Sequence, residues 1–127
     1  MTLKRIAVIF GIVFVAVGIL GFVPALNPDG KLLGLFAVNG MHNIIHLATG
    51  IVALIVGFAS DSASKIFFQI FGVIYALVAV LGFVQGDQML LGMVSNNAAD
   101  TWLYVIIALL ALYLGFMMRI DTTTTTA

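Results

Sequence analysis

The sequence predicts an all-α membrane protein, a four-transmembrane-helix bundle built from two tandem helical hairpins. Three observations predict it. Hydrophobic residues make up 63 % of the 127 and charged residues only 8 %, too few to clothe a soluble domain of this size. Four long apolar runs are separated by short polar or turn-forming connections. Finally, motifs of the first half recur in order in the second.

Lys4 and Arg5 precede an unbroken apolar run over 6–23, which at about 1.5 Å per residue nearly crosses a hydrocarbon core of roughly 30 Å. With Val23-Pro24-Ala25 behind it, this run also has the outline of a signal peptide. The repeat favours a retained span, because its partner is internal. Residues 24–31 are turn-rich, and Asn27-Pro28-Asp29-Gly30 predicts a type I turn. Residues 32–38 read as a short apolar approach along the membrane interface. The second span covers about 41–59, with Asn39 as its N-cap. Residues 60–65 form a polar loop, and the third span runs over 66–84. Gln85-Gly86-Asp87-Gln88 turns the chain, 90–94 mirrors the earlier approach, and the fourth span covers 98–118. One domain over 1–120 follows, with a polar tail at 121–127, Asp121 then five threonines and Ala127, expected to be disordered.

Charge and cysteine content narrow the chemistry. Zero net charge argues against nucleic acid as a partner, since neutralising phosphates needs a basic face. The absence of cysteine excludes disulfides, thiolate metal sites and thiol redox chemistry. Four spans put both ends on one side, which carries Lys4, Arg5, Lys65 and Arg119 against Lys31 alone on the other. The positive-inside rule then places both termini in the cytoplasm of a plasma (inner) membrane.

Phe10-Gly11-Ile12-Val13-Phe14 recurs as Phe71-Gly72-Val73-Ile74-Tyr75, and Leu20-Gly21-Phe22-Val23 as Leu81-Gly82-Phe83-Val84, both at an offset of 61. Leu32-Leu33-Gly34, Asn39 and Gly57-Phe58 recur as Leu90-Leu91-Gly92, Asn97 and Gly115-Phe116 at an offset of 58. Repeats that enter the membrane in the same direction imply a pseudo-two-fold axis along its normal. Each span carries small residues on one face: Gly11 and Gly18; Gly50, Ala53 and Gly57; Gly72, Ala76 and Ala79; Ala108, Ala111 and Gly115. Such faces let helix backbones approach closely in lipid.

His42 and His46, the two histidines of the chain, stand one turn apart on one helix face at the outer edge of the second span. Shifted by 58, they fall on Asp100 and Tyr104. The outer end of the bundle is thus expected to gather Asn39, His42, Asn43, His46, Asn97, Asp100 and Tyr104, with Asn96 close by. Asn97 followed by Asp100 resembles a capping box with Asp for Glu, and Trp102 reads as an interfacial anchor. An imidazole is expected to bond Asp100, with Tyr104 meeting part of the remaining demand. His46 is expected inside the bundle mouth, pointing toward the fourth span.

The order Gly-Phe-Val-Pro, then Leu-Gly-Leu-Phe-x-Val-Asn-x-x-His-Asn-x-x-His, then Asn-x-x-Asp-x-x-Leu resembles a bacterial four-span family known as domain of unknown function 4383. The likeness covers nearly the whole chain except the tail. It implies a membrane location and four helices, and no activity. The family's fourth helix often reads Asp-x-x-Leu-His, whereas here Tyr104 stands where the third histidine would be.

Two function classes follow. One is a binding or assembly module, partnered by the bilayer and by a second copy or another membrane protein. The other is a metal-binding protein holding Zn²⁺ or copper through His42, His46 and Asp100, with Met41, Met89 and Met93 near the same side. An enzyme or transporter is disfavoured, because the central turns of the four spans contain no ionisable residue of the kind that marks ion or proton pathways.

Overall fold

The computed structural model describes residues 2–120. The tail expected at 121–127 lies outside them. Four helices are long and apolar enough to cross a membrane. They are α1 (Leu3–Leu20), α2 (Gly40–Ala59), α3 (Asp61–Gln85) and α4 (Ala98–Leu112), the last continuing as a wider π turn over Tyr113–Met117. Their mean hydropathies lie between 1.7 and 2.4. A spanning helix suits such sequences because it pairs its own backbone groups where lipid offers none.

Several ends differ from those expected, and polar side chains account for the differences. The polar loop of 60–65 is instead the first turn of α3. Ser60 accepts the Ala63 N–H at 2.9 Å, and Asp61 adds an acid to the positive end of the helix. The same Asp61 accepts the Lys4 N–H at 3.0 Å, tying the start of α3 to the start of α1. At the other end α1 stops at Leu20 rather than Val23. Asn27 Nδ2 lies 3.1, 3.1 and 2.6 Å from the carbonyls of Leu20, Gly21 and Val23, and Asn43 Nδ2 donates to Gly21 at 2.8 Å. These amides satisfy carbonyls that a helix end leaves without partners.

The connections also differ. Asp29 adopts φ 54°, so the turn beginning at Asn27 is not type I, whose third residue keeps a negative φ. Residues 32–38 are not a plain interfacial approach but a tight reversal. A two-residue ladder pairs β1 (Lys31–Leu32) with β2 (Phe36–Ala37) around left-handed Leu33 and Gly34, at φ 55° and 74°. A reversal of the same form pairs Leu90 with Val94 around Leu91 and Gly92, at φ 54° and 72°. A left-handed leucine is uncommon, and nothing in residue type alone announced it.

Helices α1 and α2 pack closely along their length, as do α3 and α4, and the small residues are the reason. A Cβ on Gly50 would lie 2.8 Å from Val15 N and 2.9 Å from Gly11 O. On Gly72 it would lie 2.9 Å from Leu112 N, and on Gly115 2.6 Å from Gln69 N. Gly115 sits in the π turn, where Gln69 Nε2 donates to its carbonyl at 2.9 Å. The two helix pairs meet through an aromatic seam. Phe10 and Phe14 of α1 lie against Phe67, Phe68, Phe71 and Tyr75 of α3, with ring centroids 5.2 to 6.2 Å apart. Offset and edge contacts of this kind suit the ring quadrupoles.

Candidate functional site

At one end of the bundle the chain buries polar groups among the four helices. His42, Asn43, His46, Asn96, Asp100 and Thr101 are all buried. A polar group withdrawn from water needs a partner, so each one's hydrogen bonds bear on its role.

Asn39 and Asn97 hold corresponding places at the starts of α2 and α4. Asn39 Oδ1 accepts the His42 N–H at 2.9 Å, and Asn97 Oδ1 accepts the Asp100 N–H at 3.0 Å. Their amide nitrogens then reach across to the other helix pair. Asn39 Nδ2 donates to Met93 O at 3.0 Å, and Asn97 Nδ2 donates to Leu35 O at 2.9 Å. Each amide therefore caps its own helix and grips the outer reversal that precedes the opposite one.

His42 lies between the pairs. Its Nδ1 stands 2.9 Å from Ala37 O, and a carbonyl can only accept, so Nδ1 carries the hydrogen. In the neutral ring Nε2 is then left to accept from the Tyr104 hydroxyl, 3.3 Å away on α4. Asp100 is not the imidazole's partner, contrary to expectation. Its Oδ2 accepts the Asn97 N–H at 3.1 Å, completing the capping box. The carboxylate is held by its own helix start, where the dipole favours it.

His46 sits one turn below His42, their ring centroids 5.0 Å apart, and stacks on Phe14 at 4.9 Å. Its Nδ1 is buried without a hydrogen-bond partner. The expected orientation toward α4 is replaced by this stack on α1. Tyr104 itself lies edge-on to Tyr75 of α3 at 5.5 Å. Trp102 is exposed and edge-on to Phe83 at 5.2 Å, in keeping with an interfacial anchor.

Among the expected site residues, His42, His46 and Tyr104 come together, Asn39 and Asn97 bridge the pairs, and Asp100 and Asn43 serve helix ends. Among the described residues no three His, Cys, Asp or Glu side chains gather as a metal site. Thr101 was missed by the sequence reading. Its Oγ1 donates to Asn97 O at 3.2 Å, accepts from Asn96 Nδ2 at 3.1 Å, and lies against Gly82. The available signal was its place at an offset of 58 from Asn43, which serves the end of α1 near Gly21, the residue corresponding to Gly82.

Residues 4–117 match the model of a family described as Domain of unknown function (DUF4383). No curated protein and no solved structure matches the chain.

Proposed function

The chain belongs to the DUF4383 family, and for it we propose a binding or assembly module of the plasma membrane, organised around the buried His42–His46–Tyr104 cluster. The observation that carries this reading is the reciprocal pair of amides, Asn39 on Met93 O and Asn97 on Leu35 O. They hold the two helix pairs in one register over a cluster that retains an unpaired ring nitrogen. Burying such a nitrogen costs roughly 1–3 kcal/mol. A group retained at that cost is best used by something that binds it, a small ligand or a partner's side chain at the bundle mouth.

The module is read as two tandem hairpins related by a pseudo-two-fold axis. Supporting this are the matched left-handed Leu-Gly reversals and the matched ring pairs Phe14–His46 and Tyr75–Tyr104. The amide pair supports it most directly, since each bond maps onto the other when the halves are exchanged. Lys4, Arg5, Lys65 and Arg119 support an orientation with both termini in the cytoplasm. Cysteines introduced at Gly30 and Ser62 test this. An impermeant thiol reagent applied to intact cells should label Gly30→Cys and spare Ser62→Cys, and the opposite pattern overturns the orientation.

A second reading is metal binding, favoured by the free Nδ1 of His46 beside His42. His42 and His46 would supply imidazole nitrogens to Zn²⁺ or copper, whereas Asp100 is engaged in its cap. His46→Phe separates the readings, because it keeps a ring on Phe14 and removes the unpaired nitrogen. Without added metal the variant should melt above wild type, by an amount equivalent to about 1–3 kcal/mol. With Zn²⁺ or Cu²⁺ in excess, only wild type should gain further stability if metal is the ligand. No gain in either protein overturns the metal reading.

A further inference from the structure

We propose that a groove at the end of the bundle opposite the polar cluster binds an anionic phospholipid. The groove lies between α1 and α2, has a volume of about 420 Å³, and is lined by Lys4, Arg5, Val8, Ile9, Gly57 and Phe58. Lys4 and Arg5 line one end of it with their aliphatic stems, and Val8 and Ile9 continue it one turn deeper, so their charged ends can reach a phosphate headgroup whose upper acyl chain lies along the apolar wall. Gly57 forms the floor. A Cβ there would lie 2.9 Å from Val8 N, so a larger residue would fill the groove or part the helices.

The cations are available to a headgroup. Lys4 and Arg5 use backbone N–H groups locally, Lys4 N on Asp61 Oδ1 and Arg5 N on Thr2 Oγ1. Among the described residues their side-chain donors have no protein acceptor. Asp61, the first residue of α3, lies beside the start of α1, and its one carboxylate leaves a single positive charge in excess there. The apolar wall opens outward through Ile9 and Phe58, 48 % and 72 % exposed, toward where acyl chains lie.

The corresponding end of the α3–α4 pair carries a different arrangement of charges, although Gly115 approaches Gln69 there much as Gly57 approaches Val8. At the offset of 61, Ile66 stands in place of Arg5. Lys65 stands in place of Lys4, and its Nζ is engaged with Met118 O. The α1–α2 pair thus sets two adjacent cations along one groove, whereas in the other pair Lys65 is turned to Met118 O and exposed Arg119 stands beyond the π turn. An anionic lipid is selected over a zwitterionic one because the latter would bring its ammonium group toward Lys4 and Arg5.

The test is native mass spectrometry of the full chain in detergent, titrated with phosphatidylglycerol, phosphatidylcholine or inorganic phosphate. One phosphatidylglycerol per chain should bind in preference to phosphatidylcholine. Arg5→Gln, at an exposed position, should weaken it about fivefold, and Lys4→Gln with Arg5→Gln about twenty-five-fold. Lys65→Gln should leave the affinity unchanged. Equal binding of the two lipids, undiminished binding by Arg5→Gln, or a phosphate adduct as tight as the lipid overturns the proposal. A dimer in place of a lipid adduct overturns it too, assigning the groove to a second copy. Should the double variant not fold, the single Arg5→Gln variant decides the matter.

Discussion

Gly50→Leu is expected to prevent α1 and α2 from closing and to leave the purified protein unfolded or aggregated at temperatures the wild type withstands. A Cβ at this position already meets backbone, Val15 N at 2.8 Å and Gly11 O at 2.9 Å. Backbone cannot turn aside as a side chain does, so the helices must part. Overpacking a tight contact costs typically 1–3 kcal/mol, and Leu adds three carbons beyond that first clash. Gly50→Ala should therefore melt measurably lower, and Gly50→Leu much lower still. Gly40→Ala supplies the control. No atom lies within 4 Å of a Cβ there, and a helical Gly→Ala change favours folding by roughly 0.5–1 kcal/mol. If Gly50→Ala melts no lower than Gly40→Ala, close backbone approach is not what holds the first hairpin.

The second large effect is expected at the paired amides. Replacing Asn39 and Asn97 together by Ala removes two helix caps and the two amide bonds these residues make across the helix pairs. A cap contributes about 1 kcal/mol, and a hydrogen bond in a membrane protein roughly 0.6–1.5 kcal/mol. The double Ala variant should thus lose about 3–5 kcal/mol. Ser at both positions keeps the caps but is too short to reach Met93 O or Leu35 O, so it should lose only the part due to the cross-bonds. Thermal unfolding in detergent should rank wild type above the Ser variant and the Ser variant above the Ala variant. A Ser variant as stable as wild type would show that the bonds between pairs contribute nothing, and would remove the support they lend to a two-fold arrangement.

The caps were legible in the sequence because capping is local. Asn39 and Asn97 each stand just before an apolar run, and Asp100 is three residues beyond Asn97, which is where a capping box places its acid. What the same amides do with their second polar atom was not legible. Nδ2 of Asn97 finds Leu35 O, 62 residues away, only once the two helix pairs are set side by side. The bond expected between an imidazole and Asp100 failed for the same reason. Positions related by the sequence offset of 58 need not touch in the fold. His42 instead meets Tyr104, which stands at the offset of 58 from His46.

By itself the sequence determined four membrane-crossing helices, their small-residue faces and the helix-capping residues. Each follows from hydropathy, side-chain size or hydrogen bonding within a few residues, and lipid leaves a long apolar run little choice but helix. The tertiary structure alone decided the left-handed Leu33-Gly34 and Leu91-Gly92 reversals, the π turn at Gly115 and the amide bonds between helix pairs. It alone left His46 with an unpaired nitrogen against Phe14. Those features depend on how far each helix is rotated and slid against its neighbours, which packing across the whole bundle sets and no short stretch of chain encodes.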